Sequence, residues 1–321
     1  FSQLILHGWQ PSWLHLVESH GTLDECVSQH LASHADAVGT WEPPLSFAII
    51  HQGEQVYLSF VCHHALYDGI AVELLLHEVE QLANGVALNI PPPVEPFLRA
   101  MLADSPTSDD FWKRQLLDFR PVQLPTSHGQ DMDKMGKHNI HSTEIHISLG
   151  DILERTKNLG CSLLSVCQTA WALVLSTVLE VDDVCFGNVV SCRSVDVDGV
   201  ENLIAPCFNT VPIRANLSNT RQNIDLMKFL NVLNPQIIQH QFTSLRRIQS
   251  LASPGELRRL FDTLLILQQP ARSLDHRLWS LERDDGEMDV SAHYSQLITH
   301  KLSHGKCNLT DSDTPCLRIQ T

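Results

Sequence analysis

The amino-acid sequence predicts an α/β fold built in two lobes. Segments with the two-residue alternation of strands and segments with helical spacing mix along the whole chain. At 321 residues, the chain is long enough for one large domain or for two lobes. A polar stretch at 120–139, which contains two prolines and two glycines, is the best candidate for a linker. We therefore predict an N-terminal lobe at 1–125 and a C-terminal lobe at 140–321.

The residues before this linker predict strands first and helices later. Two β-rich runs lie on either side of Gln52-Gly53-Glu54, which indicates a hairpin. Phe111 and Trp112 are expected to face the core of a short helix. The predicted elements are strands at 1–10, 44–50 and 55–63, helices at 70–83 and 109–117, and a proline-rich loop at 91–96.

The residues after the linker predict a second set of strands and helices. The longest apolar run, residues 170–179, is too short to cross a bilayer and indicates a buried helix. From residue 284 onward the periodicity is too weak to assign elements. The predicted elements are strands at 141–147, 184–190, 207–215 and 263–268 and helices at 149–159 and 163–179. Residues 225–250 are predicted to be largely helical.

The net charge and the distribution of cysteines argue against some classes of partner and indicate a compartment. The formal net charge is −15, which argues against nucleic acid as a partner because phosphate binding needs a basic surface. The first residues lack the pattern of a secretion signal, and no membrane partner is expected. The nine cysteines are scattered, several of them in apolar runs, which indicates reduced thiols and a cytoplasmic location.

One motif carries chemistry: His63-His64-Ala65-Leu66-Tyr67-Asp68-Gly69. It follows a predicted strand and precedes a predicted helix, a position where side chains are exposed at a sheet edge. His64 is the candidate catalytic residue, because an imidazole titrates near neutrality and can accept a proton from an attacking amine or hydroxyl. We assign His63 to its support and Asp68 to holding the turn by pairing with an arginine. The Gly69 N–H opens a helix and can stabilise an oxyanion.

A structural interpretation of the same residues remains open. Most histidines in a protein are packed or solvated rather than catalytic. An Asp-Gly pair before a helix is also what a turn without function contains. The pair His63-His64 beside these residues favours the catalytic interpretation.

The motif resembles the active-site motif of nonribosomal peptide synthetase condensation domains, in the chloramphenicol acetyltransferase-like superfamily. Five further stretches match this family in order, and the resemblance covers roughly residues 40–280. Five ordered matches are more specific than any single one. They are Phe111-Trp112 with Leu116, residues 184–193 (VCFGNVVSCR), 204–214 (IAPCFNTVPIR), 244–249 (SLRRIQ) and 261–264 (FDTL).

The resemblance implies a two-lobed chloramphenicol acetyltransferase-like fold with a tunnel between the lobes. Carrier proteins with phosphopantetheine arms enter the tunnel, and an amide (or ester) bond forms between the tethered groups. No directly bound cofactor and no metal are implied, and an adenylation domain acts elsewhere in the assembly. Positions in the matched stretches assign Tyr67, Ser191, Arg193 and Asn209 to the substrate channel or to its support. The Tyr67 form of the motif is similar to that of fungal siderophore synthetases.

The chain also departs from the family pattern. We find no match for the segment before the motif, which includes the arginine that pairs with the motif aspartate. The N-terminal lobe is therefore expected to be incomplete. Cys192 and Ala205 stand where the family has glycine, and the residues after 284 do not resemble the end of the family fold.

Three alternatives remain in view. A non-catalytic carrier-docking or relic domain would retain the fold without the reaction. An epimerisation domain shares the histidine motif, although its further acidic signature is absent. A metal site at His293, His300, His304 and Cys307 is disfavoured, because the segment is polar and lacks a carboxylate at useful spacing. The Asp-Phe-Gly-Trp-Gly motif of plant acyl-CoA transferases is absent.

Overall fold

The fold is taken from a computed structural model of the 321-residue chain. The model describes residues 11, 13–17, 21–37, 45–103, 105–124, 140–253, 259–268, 275, 278, 303–308 and 316–320. The chain divides into two compact units, Phe1–Asp68 with Arg283–His293 and Gly69–Glu282 with Tyr294–Thr321. Strands and helices mix in both units, which confirms the predicted α/β class.

The first unit contains a three-stranded sheet and one helix. The elements are β1 (Trp13–Val17), α1 (Leu23–Ala37), β2 (Leu45–Gln52) and β3 (Gln55–Cys62). β1 lies parallel to β2, and β2 pairs antiparallel with β3, as the predicted hairpin requires. The helix packs on the sheet through a small core of Leu16, Cys26 and Ile50. His30 is fully buried there, and its two ring nitrogens hydrogen-bond to the hydroxyls of Ser59 and Ser46 at 2.8 and 2.9 Å.

The second unit begins with three helices and continues into a six-stranded sheet. The elements are α2 (Gly69–Ala83), α3 (Glu95–Leu102), α4 (Pro106–Gln115), β4 (Ile140–Glu144), α5 (Leu149–Asn158), α6 (Leu163–Leu179), β5 (Asp183–Ser191), β6 (Phe208–Asn216), α7 (Asn223–Gln239), α8 (Leu245–Ala252), β7 (Thr263–Gln268), β8 (Ser303–Asn308) and β9 (Cys316–Gln320). The strand order is β4-β9-β8-β7-β5-β6. The parallel pairs are β5–β7 and β7–β8, and the other pairs are antiparallel.

The core of the second unit explains why α4 belongs to it. Phe111 and Trp112 of α4 are buried in one hydrophobic cluster with residues of α6, α7 and β5–β7. α7 contributes apolar residues at helical spacing, Leu226, Leu230, Leu233 and Ile237. The prediction that the aromatic pair faces the core is confirmed.

The predicted lobes are 1–125 and 140–321, whereas the two compact units meet between Asp68 and Gly69. The aromatic pair of α4 packs into the core of the second unit. Residues 125–139, the predicted linker, lie outside the described residues. The lobe boundary therefore stays a prediction.

One local prediction needs correction. The proline-rich segment at 91–96 is not extended throughout, because α3 begins at Glu95 and Pro96 lies in its first turn. Proline is tolerated there, since the first helical N–H groups have no partner within the helix. The prediction that 225–250 is largely helical is confirmed, and the segment forms two helices, α7 and α8, with a break between Gln239 and Leu245. The strand predicted at 1–10 lies outside the described residues.

Two further findings concern the thiols and the apolar helices. Of the seven cysteines whose side chains the structure describes, five are buried, as their apolar surroundings predict. Within the described part of the chain, no single helix has the length and hydropathy to cross a bilayer. α5 and α6 reach the required length and hydropathy only when taken together, and the pair is bent by 95°.

Candidate active site

The histidine motif forms the predicted connection from a strand to a helix. β3 ends at Cys62, and a short 3₁₀ helix spans His64–Leu66. Tyr67 follows in an extended conformation with φ −148° and ψ 164°. α2 then begins at Gly69, the last residue of the motif. A 3₁₀ turn and an extended residue thus connect the edge strand β3 to the first residue of α2.

His63 caps the 3₁₀ helix with its side chain. Its Nδ1 atom accepts a hydrogen bond from the Ala65 N–H at 3.1 Å, and its carbonyl accepts one from Leu66 at 3.0 Å. A ring nitrogen that accepts carries no proton, so the neutral ring of His63 is protonated at Nε2. This geometry suits the supporting role predicted for His63, because Nδ1 is already engaged in the turn.

His64 begins the 3₁₀ helix directly after this cap. Its side chain lies outside the described part of the structure. The His63 cap and the 3₁₀ hydrogen bond hold the backbone from which the His64 ring extends. The catalytic assignment of His64 remains a prediction based on the motif.

Burial keeps two other titratable groups of this turn, the Cys62 thiol and the Tyr67 hydroxyl, neutral. Burial raises the pKa of the Cys62 thiol to about 11. Burial, followed by the nearby Cys62, also raises the pKa of the half-buried Tyr67 hydroxyl. A thiol and a phenol with raised pKa values carry almost no charge at neutral pH. Within the turn, an imidazole is therefore better suited to accept a proton than either of these groups.

Asp68 and Gly69 lie at the junction with α2. Asp68 is 8% exposed and takes part in a hydrogen bond or electrostatic interaction, so this residue is not isolated. It occupies the position before the first helical residue, where Asp is favoured as a cap. Gly69 is exposed as the first residue of α2, which is compatible with the predicted oxyanion contact.

Ser191, Arg193 and Asn209 lie close together in the second unit, at the adjacent ends of β5 and β6. Ser191 is the last residue of β5, is exposed, and pairs with Phe208 of β6. Asn209 is the next residue along β6. Of the three, Ser191 is the side chain most open to a substrate.

Arg193 holds the loop that connects β5 to β6. Its Nη1 atom donates to the carbonyls of Val200 and Leu203 at 3.0 and 2.7 Å. Its Nη2 atom donates to the carbonyl of Ala205 at 3.0 Å. A planar guanidinium can bind three carbonyls in fixed directions, so Arg193 shapes this loop.

Asn209 holds the connection between α7 and α8. Its Nδ2 atom donates to the carbonyls of Gln241 and Thr243 at 2.6 and 2.9 Å. Its Oδ1 atom accepts from the Thr210 N–H at 2.9 Å. Both ends of the amide are thus used in structural contacts.

The predicted site residues therefore form two groups. His63, His64, Tyr67 and Asp68 end the first unit, and Gly69 begins the second. The other group is Ser191, Arg193 and Asn209, inside the second unit. The sequence assigned Tyr67 to the channel or its support together with the second group, and the other motif residues to catalysis. Both assignments stay predictions.

Sequence reasoning missed one side chain close to the second group of residues, the imidazole of His240. The ring of His240 stacks on Phe111 at 4.3 Å, and its Nδ1 lies 2.9 Å from the Ser108 hydroxyl. Burial, followed by Arg114, lowers the pKa of His240. No local sequence pattern indicates this histidine, because its contacts lie about 130 residues away in sequence.

A metal centre finds no support in the described part of the chain. No group of three or more His, Cys, Asp or Glu side chains described here is arranged to hold a metal ion. His293 and His300 lie outside the described residues. For His304 and Cys307, the structure describes only the backbone of β8.

Comparison with known proteins agrees with this geometry. The family model described as Condensation domain matches residues 15–303. The chain is 42% identical over 289 residues to nonribosomal peptide synthetase SIDC of Beauveria bassiana, covering 90% of the chain and 6% of that protein. It is 26% identical over 267 residues to the hydroxamate-type ferrichrome siderophore peptide synthetase of Schizosaccharomyces pombe, covering 83% and 5%. The chain thus spans about one twentieth of the length of these relatives.

Solved structures show the same fold at low identity. The chain matches a four-domain nonribosomal peptide synthetase bound to AMP and glycine, with a TM-score of 0.69 and 15% identity, over 97% of the chain and 25% of that structure. It matches the epimerization domain from the third module of tyrocidine synthetase B, with a TM-score of 0.67 and 12% identity, over 96% and 74%. Together with the family model, which matches far more than half of the residues, these findings show that the chain belongs to the condensation domain family.

Proposed function

We propose that this chain is an acyltransferase that joins a carrier-bound acyl donor to a carrier-bound acceptor in nonribosomal peptide synthesis. The observation that carries the proposal is the motif His63–Gly69 in a turn between a strand and a helix. Membership of the condensation family and the names of the relatives support the same reaction class.

The proposed reaction transfers the acyl group from sulfur to nitrogen. The acceptor amine attacks the thioester carbonyl of the donor, a C–N bond forms, and the C–S bond breaks. The proton of the amine passes to His64, and the released thiol carries a proton away. An oxygen nucleophile would give an ester by the same steps. A positioned base contributes about 10²–10⁴-fold to the rate, and holding both reactants together contributes further.

The remaining roles follow from the positions of the residues. His63 holds the turn through its contact with the Ala65 N–H. Gly69 offers its N–H to the developing oxyanion. Ser191 lies along the path of a phosphopantetheine arm, while Arg193 and Asn209 hold the loops beside that path. These arms belong to carrier proteins, and an adenylation domain of the same assembly loads them.

The relatives also support a product class and a location. One relative is named as a ferrichrome siderophore peptide synthetase, so we propose siderophore peptide synthesis as the pathway class. The scattered cysteines, five of the seven described side chains being buried, support the cytoplasm as the compartment.

The test is replacement of His64 by alanine, with donor and acceptor carriers both loaded. We expect product formation to fall by about 10²–10⁴-fold, the contribution of a positioned base. His146→Ala is the matched control, because His146 is an exposed loop histidine. Unchanged product formation in His64→Ala, with carrier binding intact, would instead support a non-catalytic docking domain.

A second candidate is epimerisation, favoured by the structural match to an epimerization domain. An epimerase exchanges the α-proton of a carrier-bound aminoacyl group with solvent. Incubation of a single loaded carrier in D₂O separates the two reactions. Deuterium at the α-carbon without condensed product would replace the condensation proposal.

A further inference from the structure

The two ends of the loop between β5 and β6 bring two cysteines together. Ser191, the last residue of β5, pairs with Phe208, the first residue of β6. One step beyond this pair, the Cys192 N–H donates a hydrogen bond to the Cys207 carbonyl at 2.8 Å. Cys192 and Cys207 therefore lie directly opposite each other, where the antiparallel pairing continues past the two strands. We call these two residues the loop-base cysteines.

The side chains of the loop-base cysteines lie on the same face of the paired segments. Residues directly opposite each other in an antiparallel pair share a face, and successive pairs alternate between the two faces. Burial follows this alternation, because Ser191 and Phe208 are both exposed whereas Cys192 and Cys207 are both 0% exposed. Both cysteines belong to one hydrophobic cluster with Phe97 of α3. The two side chains thus enter the same apolar space.

The backbone spacing at the loop-base cysteines suits a disulfide. Opposite residues that are joined by a backbone hydrogen bond in an antiparallel pair have Cα atoms about 5.5 Å apart. A disulfide requires Cα atoms about 4.4–6.8 Å apart and side chains that face each other. Such a bond closes residues 192–207 into a covalent loop. Cys192 stands where the family pattern has glycine, so the pair is separate from the motifs that this chain shares with the family.

We propose that Cys192 and Cys207 are a redox-active pair, which hydrogen peroxide or an organic hydroperoxide converts into a disulfide across the base of the β5–β6 loop. One sulfur attacks the peroxide, the O–O bond breaks, and a sulfenic acid forms together with water or an alcohol. The second thiol attacks the sulfenic sulfur, so that the S–S bond forms, the S–O bond breaks and a water leaves with the thiol proton. The two thiols lose two electrons in total, and the peroxide takes them up.

The disulfide fastens a loop that hydrogen bonds already hold at the same place. Arg193, next to Cys192, donates to the carbonyls of Val200, Leu203 and Ala205. In the oxidised chain the ends of the loop stay joined when those hydrogen bonds break, so the unfolded chain has fewer conformations. Because both thiols are buried, the peroxide reaches them only when the loop opens, and the oxidation is slow.

The test treats the whole chain with hydrogen peroxide overnight and then blocks the remaining thiols with N-ethylmaleimide under denaturing conditions. Peptides from trypsin and chymotrypsin are analysed by mass spectrometry. Cleavage after Arg193 separates the two cysteines, and cleavage after Phe186 removes Cys185 from the Cys192 peptide. We expect two peptides linked through Cys192 and Cys207, which dithiothreitol separates. We also expect the oxidised chain to unfold at a urea concentration about 1 M higher than the reduced chain.

Cys185→Ala is the matched control, because Cys185 is a buried cysteine of the same strand that lies opposite Arg214. This variant should retain the linked peptides and the higher midpoint, whereas Cys192→Ala and Cys207→Ala should lose both. Circular dichroism verifies that each variant is folded.

Three outcomes overturn the proposal. The first is the absence of the linked peptides from the peroxide-treated, unmodified chain, including the case in which either cysteine is oxidised only to a sulfonic acid. The second is a link from Cys192 or Cys207 to another cysteine instead. The third is an oxidised chain with the same unfolding midpoint as the reduced chain, which contradicts the fastening of the loop. None of these outcomes bears on the proposed acyl transfer, which uses neither thiol.

Discussion

Gly187 offers the sharpest test of the packing argument. It lies in the middle of β5, paired on one side with Pro212 of β6 and on the other with Leu264 of β7. A Cβ atom at this position would lie 2.3 Å from Leu264 Cδ2 and 2.5 Å from Phe261 Cε2. Both neighbours are buried in the core, so neither side chain can swing into solvent. We expect Gly187→Ala to destabilise the fold.

The magnitude follows from the cost of overpacking a core. Forcing one extra methyl into a packed site costs about 1–3 kcal/mol. With an m-value of about 3 kcal/mol per M in urea, the unfolding midpoint falls by about 0.3–1 M. The assay is urea unfolding followed by circular dichroism. Gly150→Ala is the control, because the added Cβ meets only the Ser148 hydroxyl at 3.8 Å and lies in α5.

A double variant separates the close contact from other effects. Leu264→Ala removes the nearest atom, and alone it costs about 2–5 kcal/mol as a cavity. In the Gly187→Ala background its cost should shrink, because the new methyl fills part of that space. A Gly187→Ala midpoint equal to that of the unmodified chain would refute the reasoning. Strictly additive effects of the two changes would refute it as well.

Three further outcomes are expected. Arg193→Lys should destabilise the fold by about 1–3 kcal/mol, because an ammonium cannot bind the three carbonyls that the guanidinium binds. Urea unfolding measures this loss, and an unchanged unfolding midpoint would contradict it. The pKa of His240 is lowered in the fold, so the unfolded chain binds the proton first, and the melting temperature should decline as pH falls below about 6.5. His240→Gln should flatten that decline, and an equally steep one would contradict the assignment. Since burial raises the pKa of Cys62 to about 11, its alkylation by iodoacetamide at pH 7.5, followed by mass spectrometry, should be far slower than that of a free thiol.

Local sequence patterns predicted most helices and strands. They failed at some positions, described below. The helices at 149–159 and 163–179 and the strand at 263–268 agree with α5, α6 and β7 to within one residue. α1 was missed, although Thr22 and Glu25 form a reciprocal cap that the sequence contains. The break between α7 and α8 was not predicted; there Asn209 binds the carbonyls of Gln241 and Thr243, and Ser244 caps α8 through the Arg247 N–H.

The candidate site also contains some features that the local sequence predicts and others that it does not. The order of strand, histidine pair and helix N-terminus was readable from His63–Gly69, because neighbouring residues alone determine that turn. The sequence could not show that the side chains of Arg193 and Asn209 donate hydrogen bonds to loop carbonyls. Those acceptors are backbone atoms, which every residue type has, so no residue pattern indicates them.

The sequence by itself determined the family, the α/β class and the position of the histidine turn, all of which depend on residue types at short spacing. Only the tertiary structure decided that α4 belongs with the second unit and that Gly187 has no room for a side chain. It alone also placed Arg247 of α8 beside Asp109 of α4. These features arise from contacts between segments more than 70 residues apart, where the closeness of two groups is set by the fold and not by their order in the chain.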